Sequence, residues 1–117
     1  MYDTVIELST IDGIPVASIG NELDLANSDT VRRYLDEAAG TSATFVLSLE
    51  KCRYIDSSGL RPIFGLAQRL GAGFFVVAAR GTQVRRVFDL TSQHRRLNIC
   101  ATVDEAIEKA MRGLAVA

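Results

Sequence analysis

Apolar and polar positions divide the chain into alternating strand-like and helix-like stretches. Thr4 to Ser9 and Ile14 to Gly20 read as two strands around Ile11-Asp12-Gly13, where the Asp-Gly pair marks a tight hairpin-like turn. Asn21-Glu22-Leu23-Asp24 then leads to a helix over about Asp29 to Ala39. Asn27 or Ser28 supplies its cap, Val31, Tyr34, Leu35 and Ala38 its buried stripe, and Gly40 its stop. Thr44 to Leu49 is a short apolar run rich in strand formers, which predicts a buried strand. Beyond Ser58, Leu60, Ile63, Phe64, Ala67 and Leu70 recur at offsets of three and four, one face of a helix that Gly71-Ala72-Gly73 ends. Phe74 to Ala79 is apolar throughout, as an inner strand covered on both faces should be. Thr82 can cap a short helix with Val84, Val87 and Phe88 inward, and Arg96 to Cys100 suggests a short last strand. Thr102-Val103-Asp104-Glu105 has capping-box spacing and opens a helix with Ala106, Ile107, Ala110 and Met111 inward.

This order predicts an α/β fold of about five strands and about four helices. Strands that alternate with helices imply a mostly parallel sheet, because parallel neighbours need a crossover, and the first hairpin adds an antiparallel pair. In such sheets, sites gather on strand-to-helix loops at the carboxyl ends of the strands. Asp56-Ser57-Ser58 lies on one such loop and Asn21 to Asp24 on another, so the two are expected to be close in space.

Composition narrows the function classes. The 117 residues suit a single domain, over 1–117, with a core that needs neither disulfides nor metal. A formal charge of −1 gives no overall attraction to nucleic acid, so no direct nucleic-acid contact is expected. No apolar run approaches the roughly 20 residues of a membrane-spanning helix, and Met1 to Thr4 opens no signal peptide. Cys52 and Cys100 match no metal or redox spacing and read as buried free thiols of a reducing, cytoplasmic compartment. Arg80, Arg85, Arg86, Arg95 and Arg96, with His94, read as a solvated helix face and loop.

The chemistry concentrates at the helix entry after Tyr54-Ile55. A helix start exposes backbone N–H groups without intrahelical partners, and with the positive end of the dipole they favour negative charge. A serine hydroxyl there can carry a phosphate. Catalysis is not expected. His94 is the lone histidine, Ser57-Ser58-Gly59 is not a Gly-x-Ser-x-Gly elbow, and no Gly-rich, Lys-bearing loop is present to hold nucleotide phosphates. No metal or other cofactor is called for.

Asp56-Ser57-Ser58-Gly59-Leu60 after a buried strand resembles the signature of STAS domains, in particular the stand-alone anti-anti-sigma factors (anti-sigma factor antagonists) of bacteria. Asn21-Glu22-Leu23-Asp24-Leu25 is similar to that family's Gly-Glu-Leu-Asp segment, with Asn21 in place of Gly. Val84 to Thr91 resembles its third helix and Asp104-Glu105-Ala106 the start of its last one. The resemblance implies that Ser58 accepts a phosphate from a partner that is both anti-sigma factor and serine kinase. It also implies that the unphosphorylated form binds that partner and frees a sigma factor, and that a metal-dependent serine/threonine phosphatase restores binding. Asp56, Ser57, Gly59, Leu60, Asp24 and Asn21 are then the phosphosite loop and partner-binding residues. Ser57 is expected to cap or orient, Asp56 to cap the helix or hold the loop, and Gly59 to let a kinase approach the backbone. A second assembly with the same fold would be a lipid-transport ABC complex or a stress-signalling scaffold. Two positions depart from the family pattern: Ser48-Leu49 stands where Asp-Leu is usual, and Pro62 loosens the first turn if Ser58 is the cap.

Overall fold

A computed structural model describes residues 5–91 and 97–116, with side chains to 113. Thr4, at the start of the first expected strand, and His94, Arg95 and Arg96 lie outside the described residues. The elements run β1 Val5–Ile11, β2 Ile14–Leu23, α1 Ser28–Ala39, β3 Phe45–Ser48, β4 Cys52–Ile55, α2 Ser57–Leu70, a 3-10 turn Gly71–Gly73, β5 Phe74–Val77, α3 Gln83–Thr91, β6 Asn98–Cys100 and α4 Val103–Val116.

The sheet order is β1-β2-β3-β5-β6, with β4 paired to β2. Only β1 and β2 are antiparallel; the other neighbours are parallel. The hairpin closes at Ile11 opposite Ile14, with Asp12 and Gly13 at φ 52° and 81°. Positive φ at both loop residues is what a two-residue turn matching strand twist requires.

The two sheet faces can be read directly from the strands. Phe45, Leu47, Phe74 and Val76 point to the side covered by α1, α2 and α3, where Val31, Leu35, Ile63, Leu66, Val84 and Phe88 complete the larger core. Val46, Phe75 and Val77 point the other way, onto Ala106, Ile107 and Ala110 of α4. β5 is thus buried on both faces, as its unbroken apolar run requires. The rings of Phe45 and Phe74 stack at 6.2 Å across the β3–β5 pair.

Four expectations need correction. The sheet has six strands rather than about five, because Cys52–Ile55 forms β4. β2 runs on through Leu23, so Asn21 to Leu23 are strand and only Asp24 begins the loop. Tyr34 is half exposed rather than part of the buried stripe, since it lies on the side of α1 away from α2. Met111 is likewise 41% exposed, beside Ile11 at the uncovered margin of the sheet. Thr82 does cap α3, accepting from the Arg85 amide at 3.1 Å. Thr102 caps α4 in the same way from Glu105.

β4 continues the line of β3 along β2 after a turn in which the Cys52 amide donates to the Leu49 carbonyl. The register slips within it: Asn21 faces Cys52, yet Glu22 faces Tyr54, so Arg53 is the extra residue of a bulge. Cys52 and Ile55 therefore both turn to the α2 side, while Arg53 and Tyr54 are exposed.

Candidate functional site

The carboxyl ends of β2 and β4 lie side by side, Leu23 opposite Ile55, and α2 begins directly on top of them. The Asp56 amide donates to the Leu23 carbonyl at 3.3 Å, which ties the serine loop to the end of β2. The two loops thus lie side by side, as expected.

The cap of α2 is Asp56, not either serine. Its carboxylate Oδ1 accepts from the Gly59 amide at 3.1 Å, leaving Ser57 and Ser58 as the first two helical residues. Aspartate is among the preferred caps, and its oxygen accepts as an anion at the positive end of the helix. Ser57 is exposed and Ser58 half-buried, both within the first turn. Their amides precede the first residue that can find an intrahelical carbonyl. Pro62 is inside α2, so the Ser58 carbonyl four residues earlier has no amide there to accept from. With the cap at Asp56, Leu60 and Arg61 precede Pro62 as possible donors, so the defect falls one turn into the helix.

Gly59 and Leu60 are buried, which changes their expected part. A Cβ on Gly59 would stand 2.5 Å from the Leu23 carbonyl oxygen and 2.9 Å from Cγ1 of Ile55. The close approach this glycine permits is therefore to the chain's own β2, rather than to an outside kinase. Leu60, 4% exposed, packs in the core and offers no surface to a partner. Both residues seat α2 on the sheet.

Across the gap, Asp24 forms a small polar turn. Its Oδ1 accepts from the Ala26 amide at 2.9 Å, and its own amide donates to Oδ1 of Asn27 at 3.0 Å. Nδ2 of Asn27 reaches back to the Glu22 carbonyl at 2.8 Å. Asn27 occupies the cap position of α1, but its side chain is used to close the loop rather than to cap the helix. Asn21 is half-buried at φ 67°, and its amide donates to the Lys51 carbonyl at 3.1 Å. A left-handed backbone suits Asn better than most residues with a Cβ, which accounts for Asn standing where glycine is usual. Leu25, immediately after Asp24, is 74% exposed, and Tyr54 of β4 is 44% exposed. The serine turn is thus bordered by two apolar side chains open to solvent.

Gln83 was not foreseen. From the first turn of α3 its carboxamide accepts from the Ile55 amide and donates to the Ile55 carbonyl. A lone glutamine after a threonine cap carries no sequence sign of such a contact, because its partner is 28 residues away. Arg85 also departs from a solvated face: Nη1 donates to the Ala78 carbonyl at 2.9 Å and Nε pairs with Asp89 at 3.2 Å. Arg80 and Arg86 are exposed.

Ser48 is buried and its hydroxyl accepts from the Glu50 amide at 3.4 Å, so this departure is taken up inside the turn before β4. Cys52 and Cys100 are free and buried. Burial raises both thiols above their ordinary values, and the Cys52 thiol donates to the Tyr54 carbonyl at 3.3 Å. Neither has the lowered value of a reactive cysteine. No described helix is long and apolar enough to cross a membrane.

The family model described as STAS domain matches residues 5–106. The anti-sigma F factor antagonist of Paenibacillus polymyxa is 32% identical over 90 residues, covering 74% of this chain and 77% of that protein. Anti-sigma-F factor antagonist RsfB of Mycobacterium tuberculosis is 26% identical over 98 residues, covering 82% and 80%. In fold, the crystal structure of an anti-sigma factor antagonist from Mycobacterium paratuberculosis is similar at a TM-score of 0.85, with 24% identity over 93% of this chain and 95% of that one. With its mixed six-stranded sheet, its antiparallel first hairpin and a helix seated on the ends of β2 and β4, this chain belongs to the STAS domain family.

Proposed function

We propose that residues 1–117 act as one STAS domain, an anti-sigma factor antagonist whose docking is switched off by phosphorylation at Ser58. The partner in this reading is an anti-sigma factor that is itself the serine kinase. A serine/threonine phosphatase of the metal-dependent class restores binding. The protein works in the cytoplasm as a binding component and catalyses no reaction of its own. The observation that carries the reading is the position of Ser58: half-buried in the first turn of α2, beside the Asp24 turn and bordered by exposed Leu25 and Tyr54.

A phosphate would add about −1.5 to −2 charges and three acceptor oxygens. At an exposed helix start this is locally favourable, by roughly 0.3–1 kcal/mol per charged group. The domain therefore stays folded when modified. The effect falls on the interface. A partner seated over Leu25 and Tyr54 would bury the phosphate, and an unpaired buried charge costs several kcal/mol. A loss of about 1.4 kcal/mol is already tenfold in affinity.

Titration calorimetry with the anti-sigma factor tests this. Ser58→Ala should bind like the unmodified protein and Ser58→Asp at least roughly tenfold more weakly, both with native circular dichroism. Equal, tight binding by the two variants would overturn the switch. Phosphopeptide mapping of protein taken from cells should place the phosphate on Ser58. Recovery with a transporter ATPase or permease, instead of a soluble kinase-like protein, would overturn the partner.

A further inference from the structure

Apart from Leu90 on α3, the exposed large apolar side chains among the described residues fall into two groups. Leu25 and Tyr54 border the serine turn. Five others, Val5, Leu8, Ile11, Tyr34 and Met111, gather about the outer edge of β1. Leu8 shares a hollow with Ala38 of α1, and Tyr34 stands one turn before Ala38. On the opposite face, Ile11 and Met111 share a hollow with Ile107.

This margin differs from the other edges of the sheet. β6 has three residues, and the outer side of Ile55 in β4 is closed by Gln83. β1 has seven residues and pairs only with β2 among the described residues. Soluble proteins usually guard such an edge with proline, lysine or a bulge. β1 contains none of these; its one charge, Glu7, is 3.7 Å from Nζ of Lys51.

We propose that the edge of β1 pairs with β1 of a second copy of this chain, forming a reversible homodimer. The hairpin determines which groups are available. In a two-residue hairpin the closing pair, here Ile11 and Ile14, is hydrogen-bonded, and bonding alternates from there. Val5, Glu7, Ser9 and Ile11 therefore bond to β2, while Ile6, Leu8 and Thr10 present their N–H and C=O groups outward. Pro15 opposite Thr10 agrees with this alternation, since that pair needs no amide from β2. An antiparallel pair centred on Leu8 sets Leu8 against Leu8 and Ile6 against Thr10 of the other copy. It makes roughly six main-chain hydrogen bonds, two for each outward residue. Val5 then meets Ile11 of the second copy, and Glu7 meets Ser9. Sliding one step toward the N-terminus would oppose the two Glu7 carboxylates, which disfavours that register. The pairing uses no residue of the serine turn.

Sedimentation equilibrium of the purified protein over a range reaching roughly 100 μM, where weak complexes form, reads the result. The mass should rise from one chain toward two, and Leu8→Lys should hold it at one while circular dichroism stays native. A mass of one chain throughout, or a dimer untouched by Leu8→Lys, would overturn the pairing. Leu8→Cys gives an independent reading, because Cα atoms of a hydrogen-bonded pair lie about 5.5 Å apart, within disulfide reach. Mild oxidation should crosslink it to a dimer. Failure to crosslink at the same concentration would count against the register even if Leu8→Lys did not fold.

Discussion

The side chain of Gln83 holds the backbone of Ile55 at both ends: Oε1 accepts its amide at 3.0 Å and Nε2 donates to its carbonyl at 2.9 Å. A carboxamide here does what a neighbouring strand would do, on the residue just before Asp56. Gln83→Ala should leave two part-buried main-chain groups without that partner and cost about 1–3 kcal/mol. Gln83→Glu keeps the acceptor and loses the donor, so it should rank between the two. Urea unfolding checks the order, and equal stability of all three proteins would show that solvent replaces the side chain.

Gly59 tests how closely α2 must approach β2. Its phantom Cβ meets main-chain oxygen at 2.5 Å, which cannot rotate away as a side chain could. Gly59→Ala should therefore destabilise by about 1–3 kcal/mol or more through overpacking. Denaturant midpoints of the variant and the parent measure this directly.

Asp56 should show a capping effect. Asp56→Ala removes the acceptor for the Gly59 amide and should cost about 0.5–2 kcal/mol, whereas Asp56→Asn keeps most of it. Thermal unfolding of both variants gives the comparison; a larger loss for Asn would point to charge rather than capping.

Glu105 predicts a pH dependence of known sign. Its bond from the Ala101 amide, then its contact with Lys109, holds the carboxyl below its ordinary value of 4.5. A carboxylate with a depressed folded-state value adds stability that is present above the unfolded value and lost as pH falls through the folded one. Unfolding midpoints of the parent and Glu105→Gln should therefore differ at neutral pH and converge in acid. A constant gap across that range would contradict the assignment.

Much of the layout was readable because its signals are local. Asp12-Gly13 fixes the hairpin, Thr82 and Thr102 sit where a cap must, and the unbroken Phe74–Val77 run needs cover on both faces. What escaped notice depends on distant partners. β4 has four residues, and its bulge spoils the alternation that would announce a strand, giving two exposed residues between two buried ones. Tyr34 and Met111 have the spacing of core residues, but the sheet ends before it covers them. At the site, Ser58 at a helix entry was legible from the apolar pattern alone. The burial of Gly59 and Leu60 was not, because it arises where α2 lands on Leu23.

The bulge at Arg53 has a consequence for evolution of this chain. Losing that one residue would restore simple alternation along β4, with Cys52 inward, Tyr54 outward and Ile55 inward, opposite the same residues of β2. Ile55 would stay opposite Leu23 in the core, and the turn at Asp56 would leave the sheet in the same direction. A single-codon deletion there should thus leave the fold intact, as should most substitutions at the same exposed position.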